Sequence, residues 1–450
     1  MRAYDAALLF LLVATTACAT ATYTRYREQT EDWQRAEAAA PPADPGDQLF
    51  DGAATLEREA LLRLVLERNP TVRAARDAWR AALARYPQVT ALDDPMFSYD
   101  LRPRSIGSRE VHTGNDFGVS QAIPFPGKLA LRGESAVAEA ESAQSDVETE
   151  RVQLAALASR LFDEYWLAER AIETNAQHAA LLDDAHHVAL SRYSAGTGSQ
   201  QDVLAAETEQ GMLAHQEREI AAQRQIVTER INMLLHRAPE LPLPAPPREL
   251  ESDASSHDLD APALVARALE RRPELRARTA MVHAREAEVS LARREFFPDF
   301  KVRGGYETSW QESPLEPVVG VELNVPLQLG RRRAALEEAD AKLSREQSRA
   351  HALEDRIRFE VASAVERLRE SQHLLEISRQ RRLPPARDRV VGARAAFASG
   401  RITFLEFVDA ERSLLAAEQA EFEVRADVSV RRAALARALG EVPAMEGEHP

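Results

Sequence analysis

Two short stretches of this sequence repeat each other. Residues 192–207 read RYSAGTGSQQDVLAAE, and residues 396–411 read AFASGRITFLEFVDAE. Each stretch has a glycine, an acidic residue at the sixth position after that glycine, and a closing Ala-Glu pair. Repetition of this kind indicates that one structural unit occurs twice in the chain.

The duplication extends well beyond these stretches. The segment Glu-Arg-Asn-Pro at 67–70 corresponds to Glu-Arg-Arg-Pro at 270–273, and Gly127 corresponds to Gly330. The distance between matching positions stays almost constant along the chain. The segment 239–261 between the halves is rich in proline, which excludes helix and predicts an extended linker.

The composition favours long helices. The chain has 450 residues, of which 44% are hydrophobic, 6% aromatic and 29% charged. After each repeated stretch, apolar residues recur in steps of three and four, which predicts helices packed side by side as coiled coils. The net charge of −15 argues against a nucleic-acid partner. No catalytic, phosphate-binding or metal-binding motif is present, so we expect neither an enzyme nor a cofactor.

Each half also contains two segments in which apolar and polar residues alternate, which predicts strands with one apolar face. A membrane-spanning strand needs about ten residues, apolar towards lipid and polar towards the lumen. Two interpretations remain open: strands of a membrane barrel, or surface hairpins of a soluble α+β domain. The expected strands lie near 96–102, 116–123, 299–307 and 318–325.

The N-terminal segment has the features of a signal peptide. An apolar run, ALLFLLVA at 7–14, is too short to span a bilayer. Cys18, the only cysteine, follows it. Two processing interpretations remain open: acylation of Cys18 as a lipoprotein, or ordinary cleavage at the small-x-small site Ala17-Cys18-Ala19.

These signals divide the chain into six parts. They are a signal peptide at 1–18, an N-terminal tail at 19–54, a first repeat at 55–238, the linker at 239–261, a second repeat at 262–440 and a C-terminal tail at 441–450. Each repeat has the order helix, strand, strand, long helix, helix. The fold class is mainly α with a small β part.

Three segments carry a resemblance to a known family. VSQAIPFPGKLALR at 119–132 and the two repeated stretches at 192–207 and 396–411 resemble TolC-like outer-membrane efflux proteins. The Pro-Phe-Pro-Gly-Lys part is similar to the heavy-metal efflux branch, which is CzcC-like. The resemblance implies a homotrimer in outer-membrane lipid, with a shared twelve-stranded barrel and a helical barrel in the periplasm. It also implies two partners, a periplasmic adaptor and an inner-membrane RND-type pump.

The resemblance also assigns roles to the repeated stretches. Gly196 and Gly400 would form the turns of two helical hairpins at the periplasmic end. Glu406 and Asp409 would form the pore constriction, where acidic rings favour cations. The alternative for this acidic pair is an ordinary solvated helix N-terminus, where carboxylates are favoured anyway.

A further contact would hold this end closed, and Asp202 with Arg401 is the candidate pair. Phe397 stands where the family often has a tyrosine, which removes a hydroxyl from this region. Three histidines, His178, His186 and His187, are interpreted as surface residues and not as a metal site, because adjacent histidines on a helix point in different directions.

The expected function is therefore a passive outer-membrane duct of a tripartite efflux system. Heavy-metal cations are one candidate cargo, and the sequence does not determine the exported substrate. The alternatives are a soluble periplasmic coiled-coil scaffold or adaptor, and, within the family, a drug-efflux or type I secretion duct.

Overall fold

The computed structural model describes residues 21–39, 49–50, 52–102, 114–250, 259–307 and 316–443. The predicted signal peptide and Cys18 lie outside the described residues. The helices are α1 (Ala21–Ala39), α2 (Arg58–Arg68), α3 (Pro70–Thr90), α4 (Lys128–Ser194), α5 (Gln200–Leu234), α6 (Ala261–Arg271), α7 (Pro273–Arg294), α8 (Leu329–Ile377), α9 (Leu383–Ala398) and α10 (Phe404–Leu439). The strands are β1 (Met96–Arg102), β2 (Gly114–Ile123), β3 (Phe300–Glu307) and β4 (Glu316–Leu323).

The chain divides into two compact units. The strand unit comprises the described residues of Met1–Ala39, Ala75–Val147 and Glu274–Leu353, and it contains the whole β-sheet. The hairpin unit comprises those of Ala40–Ala74, Glu148–Pro273 and Glu354–Pro450. Within the described helices, none is both long enough and apolar enough to cross a membrane.

The four strands form one antiparallel sheet in the order β1-β2-β3-β4. The central pair joins the two halves of the chain, with Val119 opposite Gly304. β4 begins two residues earlier than predicted and ends at Leu323, before the predicted limit of Val325. The Asn324 N–H still donates to the carbonyl of Asp299, which is opposite it, at 3.1 Å. The ladder stops beyond this bond because Pro298 and Pro326 have no N–H to extend it.

The sheet has one apolar and one polar face, as the alternation predicts. Along the apolar face, Tyr99, Phe117 and Tyr306 stand at matching positions of neighbouring strands. Along the polar face, Asp100 is opposite Asp116, and Asp116 is opposite Glu307. The ladder therefore sorts the residues of all four strands into two chemically distinct surfaces.

The Pro-Phe-Pro-Gly-Lys segment forms the junction between β2 and α4. Lys128 is fully buried there, with its ammonium 3.2 Å from a Glu295 carboxylate oxygen and 2.9 Å from an Asp299 carboxylate oxygen. The same Asp299 carboxylate accepts the Phe125 N–H at 2.7 Å, and the Phe125 ring stacks on Phe297 at 4.7 Å. The segment thus ties the β2–α4 junction of the first half to the α7–β3 junction of the second.

Part of the predicted N-terminal tail is a packed helix. Tyr26 and Trp33 of α1 both meet the buried Trp79 of α3, with ring centroids 5.6 and 5.0 Å apart. Tyr23 stacks on Tyr86 at 4.3 Å. The predicted N-terminal tail over 19–54 thus includes a helix, which packs its aromatic side chains against α3.

Prolines break the helices at the expected kind of position. The second long helix is interrupted by a π-helical segment, Ser378–Arg382, and α9 begins again at Leu383 with Pro384 in its first turn. Proline lacks an N–H and is tolerated in a first turn, where that donor has no helical partner. Pro70 and Pro273 likewise separate α2 from α3 and α6 from α7.

The described part of the linker packs against α4 within the hairpin unit. The buried Trp166 donates its ring N–H to the Pro247 carbonyl at 3.0 Å, and the Tyr165 hydroxyl donates to the Pro244 carbonyl at 3.2 Å. This segment has no secondary structure that could pair its backbone carbonyls, so the side chains of Trp166 and Tyr165 supply the hydrogen-bond donors.

Candidate functional site

The two repeated stretches form the turns of two helical hairpins. At the first turn, Gly196 has φ +73°, the Thr197 N–H donates to the Arg192 carbonyl at 2.9 Å, and the Gly196 N–H donates to the Tyr193 carbonyl at 3.0 Å. These two bonds are those of a Schellman motif, which satisfies carbonyls at the end of α4. Glycine is required because its φ is in the left-handed region.

The second turn repeats this geometry. Gly400 has φ +72°, its N–H donates to the Phe397 carbonyl, and the Arg401 N–H donates to the Ala396 carbonyl, both at 2.9 Å. The predicted role of Gly196 and Gly400 as turn residues agrees with these dihedral angles and hydrogen bonds.

The acidic residue after each glycine belongs to a helix cap. Ser199 and Thr403 are the N-cap residues of α5 and α10, and their hydroxyls accept the N–H groups of Asp202 and Glu406. The Glu406 carboxylate in turn accepts the Thr403 N–H at 2.8 Å, which completes a capping box. This reciprocal cap satisfies two N–H groups at the helix start. The spacing Thr-x-x-Glu was visible in the sequence as a capping signal.

Glu406 and Asp409 are exposed at the start of α10. Hydrogen bonds from the Thr403 N–H and hydroxyl hold the pKa of Glu406 below its usual value, so this carboxylate is charged at neutral pH. Asp409 pairs with Arg389 of α9, and Arg389 also donates to the Ser413 hydroxyl at 3.0 Å. Asp409, unlike Glu406, has no acidic counterpart in the first hairpin, where Ala205 takes its place.

Asp202 and Arg401 are not paired within one chain. Arg401 donates to the Ser399 hydroxyl at 2.9 Å, and no described hydrogen bond or ion pair joins it to Asp202. Another arginine connects the two turns: Arg192 donates to the Phe397 carbonyl at 3.2 Å and lies over the Phe397 ring at 5.6 Å. Sequence reasoning missed Arg192, because nothing local distinguishes it from other helix-end arginines.

Phe397 is part of an aromatic cluster that packs the second turn. It stacks on Phe407 at 5.5 Å and meets Phe404 edge-on at 5.6 Å, and all three rings are buried. At position 397, where the family often has a tyrosine, this chain has a buried phenyl ring and no hydroxyl. The turn is therefore held by apolar contacts and by the two glycine-centred motifs.

A buried histidine joins the two hairpins. His178 of α4 is 6% exposed, with Nδ1 3.1 Å from a Glu411 oxygen and Nε2 3.2 Å from a Glu418 oxygen of α10. Both ring nitrogens must donate to satisfy two carboxylates, so the ring is an imidazolium. Burial alone would lower the pKa of His178, but the hydrogen bonds that its ring donates to Glu411 and Glu418 outweigh that effect and raise the pKa to about 9. The prediction that His178 is a surface residue was wrong.

The other two histidines differ from His178. His187 is exposed and lies 3.6 Å from an Asp183 oxygen, whereas His186 is half-buried. Among the described residues, no group of three or more His, Cys, Asp or Glu side chains has the geometry to hold a metal ion. Two further ion pairs, Arg412 with Glu209 and Arg394 with Asp184, connect the hairpins.

The second hairpin turn and the helices on both sides of it lie within a segment that matches a known family. Residues 264–441 match the family model described as outer membrane efflux protein. This segment is therefore similar to outer membrane efflux proteins.

Two relatives extend the similarity over most of the chain. It is 27% identical over 386 residues to the cation efflux system protein CusC of Escherichia coli O157:H7, covering 82% of this chain and 81% of the relative. It is 26% identical over 372 residues to the probable outer membrane lipoprotein SilC of Salmonella typhimurium, covering 79% and 78%.

Solved structures show the same fold. The outer-membrane channel OprN matches this chain with a TM-score of 0.75 and 21% identity, covering 89% of this chain and 94% of that one. A CusC structure matches with a TM-score of 0.72 and 18% identity, covering 89% and 98%. The mainly helical fold with a small sheet is thus that of outer-membrane channels, as the resemblance predicted.

The requirement for glycine at position 400 can be tested by comparing it with Gly392, a helical glycine nearby. We expect Gly400→Ala to lower the free energy of unfolding by about 1 kcal/mol, because alanine is disfavoured at positive φ. Gly392→Ala, at an exposed position of α9 where a Cβ meets no atom within 4 Å, should raise it by about 0.5–1 kcal/mol. Urea unfolding followed by circular dichroism compares them, and equal effects would contradict the assignment.

Proposed function

We propose that this protein is the outer-membrane subunit of a tripartite efflux system and acts as a passive duct. It would receive cargo from an inner-membrane RND-type pump through a periplasmic adaptor, with the pump supplying the energy. The duct itself would catalyse no reaction and bind no cofactor. The proposal depends mainly on the sheet, whose surfaces and edges suit a lipid bilayer.

The apolar face of the sheet is unusually exposed. Phe97 is 70% exposed and Val319 is 83% exposed, and their neighbours Val119 and Val321 are also exposed. A soluble scaffold would hold such a surface away from water, whereas a bilayer would cover it favourably. This argues against the soluble alternative.

The edges of the sheet need partners. Within one chain β1 and β4 are the outer strands of the order β1-β2-β3-β4. Open edges are not tolerated in lipid, because each unpaired backbone group costs several kcal/mol. Three copies would close the edges into a twelve-stranded barrel, and their helical hairpins would then form the periplasmic barrel.

The number of subunits is the first test. We expect native mass spectrometry in detergent to give three copies per particle, and cell fractionation to place the protein in the outer membrane. The reason is that strand edges close only by pairing with other copies. A monomer that stays in the soluble periplasmic fraction would overturn the proposal.

Cation transport is supported by the charge pattern and by the relatives. CusC is named a cation efflux protein. In this chain, the polar face of the sheet has Asp100, Asp116 and Glu307 at matching positions, and Glu406 and Asp409 add exposed carboxylates at the second turn. In a trimer each becomes a ring of like charges around one axis, which attracts cations. We propose heavy-metal cations as the cargo.

The second hairpin turn would line the constriction. Replacing Glu406 and Asp409 together by alanine should raise the conductance of the reconstituted channel and weaken its cation preference, since smaller uncharged side chains widen the pore. The pair Glu406→Gln and Asp409→Asn should weaken the preference while retaining much of the cap, because glutamine also completes a capping box. Planar-bilayer recordings measure both quantities.

A matched control removes two charges elsewhere. Glu207 and Glu217 are exposed on α5, and their double alanine variant should leave conductance and selectivity unchanged. If the Glu406 and Asp409 variants behave like this control, those residues do not line the constriction.

The closed state would also need contacts between subunits. Asp202 and Arg401 do not pair within one chain, so we propose that they pair between neighbouring copies around the pore. The contacts of Arg192 with Phe397 would hold the two turns of each copy together during this closure. The adaptor would dock on the same turns, where Tyr193 and Leu405 are exposed.

A further inference from the structure

A groove lies between α4, α5 and α10 in the hairpin unit. Its volume is about 410 Å³. Its floor is apolar and its rim carries carboxylates and amides. The lining residues are Glu164, Leu167, Ala168, Ala171, Gln216, Glu219, Ile220, Gln223, Gln419, Phe422 and Glu423.

The groove exists because the coiled-coil packing of α5 is interrupted there. Leu213 and Val227 are buried at core positions of α5, but the core positions between them include Glu217, which is exposed, and Arg224, which pairs with Glu169 of α4. Polar residues at core positions weaken helix packing and leave space. On the facing side of α4, Ala171 has a side chain too small to fill that space.

The floor of the groove offers a rigid aromatic surface. Phe422 of α10 meets the buried Trp166 edge-on, with ring centroids 5.8 Å apart and an interplanar angle of 76°. This contact restrains the Phe422 ring that lines the groove. Leu167 and Ile220 supply the rest of the apolar surface.

The rim of the groove is negatively charged. None of the lining residues is a lysine or an arginine. Glu164 is 3.6 Å from Arg160 and 3.7 Å from Arg230, and Glu219 is 3.7 Å from His215. For Glu423 the described residues show no hydrogen bond or ion pair, so its charge is the one most available to a ligand.

We propose that this groove binds organic cations with an apolar body, such as amphiphilic amines and flat aromatic cations. The apolar floor and the volume suit a small organic molecule, and the carboxylates would attract a cation and repel an anion. The Arg425 guanidinium already lies over the Phe422 ring, 5.8 Å from its centroid, so Phe422 contributes an apolar surface and the carboxylates supply the attraction for the positive charge. A hydrated metal ion would gain nothing from the apolar floor. The proposal does not depend on the cargo of the duct.

The test uses the full-length protein in lipid nanodiscs and two fluorescent probes of similar shape. Rhodamine 6G is a flat aromatic cation, and fluorescein is an anion at neutral pH. We expect rhodamine 6G to bind saturably by fluorescence anisotropy, after subtraction of empty nanodiscs, and fluorescein not to bind. Added salt should weaken rhodamine binding, because part of the attraction is electrostatic.

Variants connect the binding to the groove. Ala171→Trp fills it and should weaken rhodamine binding at least about tenfold, while Glu423→Gln should weaken it about threefold and Glu423→Lys more strongly. Glu423 is exposed, so its variants test the proposal even if the tryptophan disturbs folding. Glu207→Gln, an exposed carboxylate of α5 outside the groove, is the matched control and should bind normally.

Three results would overturn the proposal. The first is equal binding of fluorescein, and the second is unchanged rhodamine binding in all three groove variants. The third is rhodamine binding only after the copies are dissociated, which would show that a second copy of the chain occupies the groove.

Discussion

Replacing Arg58 with methionine is expected to lower the free energy of unfolding of the hairpin unit by about 3–5 kcal/mol. The Arg58 guanidinium lies 2.5 Å from one Asp163 oxygen and donates to the other at 3.2 Å. The Asp163 side chain is only 1% exposed. Without Arg58, the carboxyl must be buried either charged and unpaired or protonated, and both states are unfavourable.

Burial already works against the charged form in the native protein. It raises the pKa of Asp163, although Arg58 acts in the opposite direction. The pair therefore stabilises the fold only when both members are present. Arg58→Met combined with Asp163→Leu should recover most of the lost stability, because an apolar pair of similar volume leaves no buried charge.

An exposed ion pair is the control. Arg27 and Glu31 lie one helical turn apart with side chains 62% and 47% exposed, so Arg27→Met should leave the stability nearly unchanged. Urea unfolding followed by circular dichroism measures all three variants. A loss below about 1 kcal/mol for Arg58→Met, or no recovery in the double variant, would contradict the assignment.

Raising the pH from 7 to 10 is expected to remove about 2–3 kcal/mol of stability through His178. Its folded pKa of about 9 lies above the unfolded value of 6.5. The stabilisation is therefore fully present below pH 6.5 and is lost as the pH rises through 9. The proton holds α4 to α10, because a neutral imidazole can donate to only one of the two carboxylates.

The residues around His178 raise the free-energy cost of removing its proton. Glu411 is 3% exposed and one of its oxygens has no hydrogen-bond partner among the described residues. Glu418 also accepts from Arg387 of α9 at 3.4 Å, so it keeps a partner when His178 loses its proton. The cost of deprotonation thus falls mainly on Glu411.

Variants separate His178 from the other histidines. His178→Gln should be less stable at pH 7 and should lose most of the alkaline pH dependence between 7 and 10. His187→Gln should keep the wild-type profile, since His187 is exposed and loosely paired with Asp183. Unfolding midpoints in urea across this pH range decide the matter, and an unchanged profile in His178→Gln would exclude the mechanism.

Much of the fold follows from local signals in the sequence. The duplication predicted two similar hairpins, and alternation predicted the limits of the strands to within two residues. Pro384 marked the break before α9. These features depend on backbone preferences and on the period of apolar residues, which neighbouring residues determine without distant partners.

The repeated stretches show how far such local reasoning extends. Gly196 and Gly400 end one helix in a Schellman motif, Ser199 and Thr403 begin the next, and the acid at the third helical position completes or supports the cap. All of these contacts join residues close in sequence. The sequence similarity of the two stretches is therefore explained by helix termination and capping, before any role in a pore is considered.

The tertiary structure alone decided which distant residues meet. His178 contacts Glu411 and Glu418, which are 233 and 240 residues away. The two turns are connected by Arg192 and Phe397, and not by the expected pair of Asp202 and Arg401 within one chain. Lys128 likewise finds its partners in the other half of the chain. Burial and pairing of these charges depend on how helices pack, and a helix presents many charged residues from which local sequence cannot select the buried ones.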